Sequence, residues 1–359
     1  MNNTKFKSIK IVVLAALFLI ILSSSSFAVS EAGVIFLLIE PGSRYGAMGQ
    51  SGVASTNDGM TAYWNPGAMG FIKQNKLAGM HSNWFGDVPE LDDIYFEYLG
   101  YSTFFEGIGT VGLNITYLTY GEQTRMGENP EDYLGTFTSY ELAVAGAYGT
   151  EIINDLGIGV NFKFILSDLS PEGSGESEKR VKGRGMSFAL DIGLLKKNFF
   201  IENLSAGVNI QNIGPDITYI NKDQADPLPL NLRAGLSYKM SNILDFEKTH
   251  LTVNLDINKQ LVNRDPLYKR WFTSIHDYPI KQEWNEMIKN FGVEFDYYDL
   301  IAIRAGYISD VDGHIKGVSF GAGVHYAFSN KYRLSFDFAF QPAGEMTDYN
   351  KTFSLGLDF

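Results

Sequence analysis

The chain has 359 residues, no cysteine and a formal net charge of −12. The lack of cysteine excludes a disulfide framework, a bacterial lipoprotein anchor and thiolate zinc sites, and the acidic balance argues against nucleic acid as a partner. With 45% hydrophobic residues, 14% aromatics and 37 glycines, the composition fits one large all-β domain or two smaller ones.

Lys5, Lys7 and Lys10 precede an apolar run over residues 11–22, and Ser26-Phe27-Ala28 places small residues where a signal peptidase reads. This pattern predicts a secretory signal peptide over residues 1–28. The run falls well short of the roughly 20 residues a transmembrane helix needs. Cleavage removes three lysines and no acids, taking the net charge from −12 to −15.

Residues 29–76 follow, rich in Gly, Ala, Ser and Met and containing YWNPGAMGF at 63–71. Pro66 fixes its own φ and drives Asn65 toward extended backbone, Asn65 can bond nearby backbone, and Gly67 permits a turn.

Period-two alternation dominates residues 77–359. In the last stretch Phe353, Leu355, Leu357 and Phe359 alternate with Thr352, Ser354, Gly356 and Asp358, which gives one greasy and one polar face. Marking every such run predicts fourteen strands, at 77–85, 93–103, 108–118, 139–149, 156–167, 184–195, 203–213, 230–240, 248–258, 290–298, 300–308, 316–328, 331–341 and 351–359. Most are near the roughly 9 to 11 residues a tilted transmembrane strand requires.

The connections alternate in length. Segments 86–92, 119–138, 168–183, 214–229, 259–289, 309–315 and 342–350 read as external loops, and the intervening segments as short periplasmic turns. That parity is expected of an outer-membrane barrel with both ends in the periplasm, and a soluble sandwich has no reason to obey it. The expected fold is therefore all-β, a transmembrane antiparallel barrel of about fourteen strands over 77–359.

The strand faces opposite the greasy ones carry Lys163, Asp191, Arg233, Asp256, Glu294, Asp296, Arg304 and Asp337. A soluble core could hold that set only with paired partners, whereas a wet lumen can accommodate it. Tyr117, Tyr120, Tyr297, Tyr298, Phe328 and Tyr332 lie at strand ends and suit interfacial girdles. Phe353, Leu355, Leu357 and the terminal Phe359 resemble the C-terminal signal read by barrel-assembly machinery.

About eight strands are filled by their own side chains, while 16 to 18 leave an open channel, so a barrel of intermediate size has space to fill. Residues 29–76 are read as a plug, or hatch, inside that lumen. Tyr63 and Trp64 are expected to wedge against the wall, and Arg44 to pair with a lumen acid. Gly112, Gly207, Gly235, Gly306, Gly321 and Gly323 are expected to let plug and wall backbones approach closely.

Three strings imitate catalytic or binding motifs. Residues 107–112 match G-x-G-x-x-G but run into a strand, not the helix that dinucleotide binding requires. Residues 317–321 match G-x-S-x-G, yet Ser319 lies within an alternating strand, and His325 on the same face is about 20 Å away. Asp310-Val-Asp312-Gly313 lacks the remaining ligands of a calcium loop and reads as an acidic external loop. No catalytic residue, cofactor or metal site is expected. Residues 276–290 suggest a short amphipathic helix in the longest loop, with Ile280, Trp284, Met287 and Ile288 near helical spacing, able to cap the barrel or dock a partner.

GSRYGAMGQSGVAST at residues 42–56, then Asn57-Asp58, then YWNPGAMGF, resembles the N-terminal signature of the PorV/PorQ outer-membrane proteins. That family is itself similar to the FadL long-chain fatty-acid transporters, fourteen-stranded barrels with an N-terminal hatch. The family pattern reads approximately G-A-R-x-x-x-M-G, D-D and W-N-P-A-G. The sequence departs from it at Ser43, at Asn57, and at Gly67-Ala68, where the order is inverted.

The resemblance implies a non-enzymatic component of type IX secretion in a Gram-negative outer membrane. External loops, particularly 119–138 and 259–289, would bind a large translocon barrel or the C-terminal domains of secreted cargo. The alternative it implies is FadL-like passive uptake of a hydrophobic ligand past the plug. Outer-membrane lipid is a partner in either case.

Overall fold

The computed structural model describes residues 32–84, 91, 93–127, 129, 131–174, 181–220, 225–243, 246–263, 265–275, 279–329, 331–344 and 348–359. The signal peptide expected at 1–28 lies outside the described residues.

Among the described residues, fourteen antiparallel strands form one closed barrel in which each strand pairs with its sequence neighbours and the last pairs with the first. They are β1 (Lys76–Asn83), β2 (Ile94–Phe105), β3 (Gly109–Met126), β4 (Tyr133–Ile153), β5 (Leu156–Ser174), β6 (Val181–Lys196) and β7 (Leu204–Ile213). The circuit continues through β8 (Asn231–Ser241), β9 (Thr249–Gln260), β10 (Ile288–Tyr297), β11 (Ile301–Asp310), β12 (Ile315–Ala327), β13 (Arg333–Pro342) and β14 (Tyr349–Asp358). Each strand read from the alternation is present. No helix among the described residues is long and apolar enough to cross a membrane.

Alternation converts directly into two surfaces. Along β14, Thr352 and Ser354 are buried toward the lumen while Phe353 and Leu355 are exposed on the outer wall. Phe353 packs on Phe338 of β13 with ring centroids 4.8 Å apart. Such outward pairs stabilise a sheet by roughly 0.2–1 kcal/mol each relative to alanine. The seam is closed at the turn end by Asn75 and Phe359, which exchange backbone hydrogen bonds of 2.9 Å in both directions.

Two predicted loops are largely strand. β3, β4, β5 and β6 run for 18, 21, 19 and 16 residues, well beyond the roughly 9 to 11 that cross a bilayer. The β3–β4 ladder shifts between Thr119 and Glu122 and then continues from Glu122↔Thr138 to Met126↔Tyr133. Above the shift β3 is polar on both faces over Glu122-Gln123-Thr124-Arg125, and the apolar Met126, Tyr133 and Leu134 at the tip are exposed. With neither lipid nor core to read, the sequence carries no period-two signal there.

The girdle reading needs one correction. Tyr117 stands on the outer wall between Tyr95 and Tyr140, with centroids 6.3 and 5.9 Å away. Tyr120, beside the register shift, turns inward and donates to Glu141 Oε2 at 2.7 Å. Tyr297, Tyr298, Phe328 and Tyr332 are exposed at the short-turn end.

Candidate functional site

The lumen is filled by chain. Residues 32–75 enter at the long-loop end, where Gly33 N–H donates to Pro227 O at 3.0 Å, and leave at the turn end into β1. Between these points the segment sweeps around the inner wall. A short helix, Ser43–Ala47, meets β14 through Ser43, whose N–H and Oγ both bond Ser354 Oγ at 2.9 Å. Gly49 then donates to Ser319 Oγ of β12 at 2.8 Å, and Gly52 and Val53 donate to the Asp256 carboxylate of β9 at 2.8 and 3.0 Å.

The YWNPGAMGF stretch forms the lower half. The helix Thr61–Trp64 is followed by the 3₁₀ helix Pro66–Phe71, with proline at the first position, where its missing N–H costs nothing. Asn65 between them is extended, at φ −165° and ψ 100°, and its side chain accepts from Gly67 N–H. The same side chain donates to Val53 O at 2.8 Å and Leu194 O at 2.9 Å. It thus joins the plug's two halves to β6.

Gly67 sits in the expected turn, which Ala68 N–H closes on Asn65 O at 3.0 Å, and it also serves close approach. A Cβ there would sit 2.7 Å from Gly193 O and 2.8 Å from Leu194 Cα. Trp64 packs against Tyr45 with tilted rings 4.7 Å apart, lies beneath the Arg233 guanidinium at 4.6 Å, and donates from Nε1 to Pro41 O at 2.8 Å. Tyr63 meets Tyr98 of β2 edge-on at 6.3 Å. Both aromatics brace the wall from a buried position.

All eight charged wall residues point inward and are buried; seven of them form ion pairs, and Asp256 accepts from the plug's Gly52 and Val53 N–H groups. Lys163 meets Asp191 at 2.9 Å. Arg304 bridges Glu294 at 2.7 Å and Asp337 at 2.6 Å. Arg44 joins Glu294 at 2.8 Å, as expected of a plug cation and a lumen acid. Arg233 is paired with Glu40 of the plug, and Asp296 with His325 at 3.5 Å. Glu294, Arg233 and Asp256 therefore tie the wall to the plug, whereas Lys163–Asp191, Arg304–Asp337 and Asp296–His325 join wall strands to one another.

Five of the six expected glycines touch the plug: Gly112 meets Met69, Gly207 and Gly235 meet Val53, Gly306 meets Gly49, and Gly321 meets Ala47. Gly323 instead makes room for Asp337 and Arg304. Sequence reasoning missed Gly149, Gly159 and Gly193, which face Pro66. They lie on the same alternating face, so the signal was present. Missed too was Lys197, whose ammonium sits 4.1 Å over the Phe71 ring in the β6–β7 turn; burial lowers its pKa, against opposing pulls from Glu151 and Asp155.

The longest loop carries two short helices, Leu267–Thr273 and Ile280–Glu286. The expected helix is shorter than its spacing suggested: Met287 is its extended C-cap and Ile288 begins β10. Proline fixes the start of both helices at Pro266 and Pro279. Their amphipathicity is inverted. Arg270 and Glu283 are 4% and 6% exposed, while Phe272, Ile280 and Trp284 are 77%, 90% and 56% exposed. Glu283 is drawn inward by its ion pair with Lys259 of β9.

The imitation motifs resolve as wall and turn. Ser319 Oγ bonds the plug at Gly49 N–H and Ala47 O. Residues 107–112 form the β2–β3 turn and enter β3. Asp310 accepts from Gly313 N–H at 2.8 Å within a tight connection. No cluster able to hold a metal ion is found among the described residues.

The family model described as "Type IX secretion system protein PorV" matches residues 24–267, more than half of the chain. The chain belongs to the PorV family. No curated protein matches it in sequence. Among solved structures, a deletion mutant of the monoaromatic hydrocarbon channel TodX aligns with a TM-score of 0.55 at 12% identity, covering 89% of this chain and 98% of that one. The Pseudomonas putida toluene transporter TodX aligns at 0.51, with 12% identity and coverages of 89% and 96%. The Ralstonia pickettii toluene transporter TbuX gives 0.51, 12%, 89% and 97%. These likenesses establish the FadL-like barrel fold of this PorV-family chain, an outer-membrane architecture.

Proposed function

We propose that this PorV-family barrel is a non-enzymatic part of type IX secretion that binds a translocon barrel, or the C-terminal domains of cargo, through its extracellular loops. The observation that carries this reading is the inverted pair of helices in the β9–β10 loop. A free loop would turn Phe272 and Ile280 inward and Arg270 and Glu283 to water, yet the opposite is seen. Exposed apolar groups gathered on one loop mark interaction surfaces. The plug supports the same reading, since ion pairs and close backbone contacts fix it to the wall and leave the loops as the accessible surface.

The test is affinity isolation of the tagged protein from its native outer membrane in mild detergent, followed by mass spectrometry of proteins and lipids. Recovery with a giant barrel, or with secreted proteins sharing one C-terminal domain type, is expected, as is loss of that recovery in a Phe272→Asp/Ile280→Asp variant. Recovery alone sinks the proposal.

A second reading, passive uptake of a hydrophobic molecule, is favoured by the apolar cluster of Phe36, Leu37, Phe96, Leu118, Ile217 and Leu228 near the long-loop end. Withdrawal of residues 34–37 would leave an apolar chamber there. A bound apolar molecule in the isolated protein, with no protein partner, would favour this reading.

A further inference from the structure

We propose that the outer wall across β7–β11 is a binding site for one phosphorylated lipid of the outer leaflet. A groove of about 740 Å³ runs there, floored by the small outward residues Ala206 and Ala234. Its sides are Val208, Leu236, Leu255, Ile257, Phe291 and Tyr307. Residues 206–208 lie in the half of β7 near the turn end, whereas Lys289 and Ser309 lie at the loop ends of β10 and β11. The groove therefore climbs diagonally from the inner part of the membrane to its extracellular face. Adjacent strands are about 4.8 Å apart, so four strand spacings give it a width near 19 Å, enough for an extended acyl chain.

The upper end of the groove changes character. Lys289 is opposite Ser309, and Ser309 is opposite Lys316, so two cations flank a hydroxyl on three adjacent strands. All three belong to the outward face, in register with Phe291, Tyr307 and Val318. Lys289 Nζ lies 4.9 Å from the Trp284 ring and bonds the Trp284 carbonyl, placing an aromatic and a cation together at the interface. Asp310 and Asp312 are nearby acids, but Asp310 is turned into its own loop to accept from Gly313 N–H. In a chain of net charge −12, one lysine at the upper end of an apolar, membrane-facing groove and a second on the adjoining strand complement a lipid with apolar chains below and phosphate above.

The test uses the purified full-length protein in mild detergent, with native mass spectrometry during titration with phosphorylated lipid A and with the same lipid dephosphorylated. Retention of one phosphorylated molecule is expected, at least tenfold stronger than the dephosphorylated form. A Lys289→Gln/Lys316→Gln variant should lose that preference, and Ala234→Phe, which fills the floor, should weaken both lipids about tenfold. Equal retention of the two lipids, or undiminished retention by either variant, overturns the proposal. Full displacement by inorganic phosphate would also overturn it, identifying a free-anion site. The temperature at which gel migration shifts to that of unfolded chain reports folding, and if the double variant fails that check, Lys316→Gln alone is compared.

Discussion

Arg44 of the plug and Glu294 of β10 form a two-point ion pair, Nε to Oε2 and Nη2 to Oε1, both at 2.8 Å. Glu294 Oε2 also accepts from Arg304 Nε at 2.7 Å. One carboxylate thus serves a plug cation and a wall cation. The consequence of removing each partner is unequal. Arg44→Ala leaves Glu294 satisfied by Arg304 and should destabilise by about 2 kcal/mol, the scale of charged hydrogen bonds. Glu294→Ala leaves two guanidiniums facing each other and should cost about 3–5 kcal/mol. Thermal unfolding followed by heat-modifiable gel migration should rank Glu294→Ala below Arg44→Ala, and the reverse order would refute the shared-carboxylate account.

Two glycines separate close approach from mere strand membership. A Cβ on Gly67 would lie 2.7 Å from Gly193 O, whereas a Cβ on Gly146 would meet nothing within 4 Å. Gly67→Ala should therefore destabilise by about 1–3 kcal/mol, as overpacking does. Gly146→Ala should be neutral or slightly stabilising, because glycine in a strand carries an entropic cost. Equal unfolding temperatures for the two variants would show that the plug yields to an added methyl.

The strands were legible because lipid on one side and plug on the other impose a strict period of two, as in the Phe353/Thr352 alternation. Arg44's pairing with a lumen acid was legible for a related reason: an inward-facing acid and a buried plug cation have few other partners. The extended hairpin above Thr119 was not, since water on both faces removes the period. The inverted helices also escaped sequence reasoning. Ile280, Trp284, Met287 and Ile288 have helical spacing, but the Lys259–Glu283 ion pair sets which side faces inward, and that partner is distant in sequence. The turn at Gly67 was legible, but its close approach to Gly193 was not, because that contact is likewise non-local.

Asn65 is the pivot between the halves of the plug. It accepts from Gly67 N–H at 2.9 Å while giving both amide hydrogens to carbonyls, Val53 O and Leu194 O. Asn65→Asp keeps the acceptor but sets a carboxylate against two carbonyl oxygens, whereas Asn65→Ala removes acceptor and donors without adding charge. Buried groups left unpaired cost about 1–3 kcal/mol each, so both variants should fall in unfolding temperature, with Asp the lower. If Asp matches wild type, the donor role is wrong.

Glu283 holds the outer loop to the barrel, since its carboxylate pairs with Lys259 Nζ of β9, which also reaches Glu286 at 3.3 Å. Both members are buried, but they lie at the loop end, away from the plug's ion pairs. Glu283→Ala should therefore release the helix Ile280–Glu286 without loosening the wall. The expected signature is faster cleavage within residues 279–287 by a protease added to intact cells, with the unfolding temperature of the barrel unchanged. A parallel fall in that temperature would mean that the pair supports the strands themselves. Unchanged cleavage would mean that the exposed aromatics are positioned by Pro279 and the loop backbone alone.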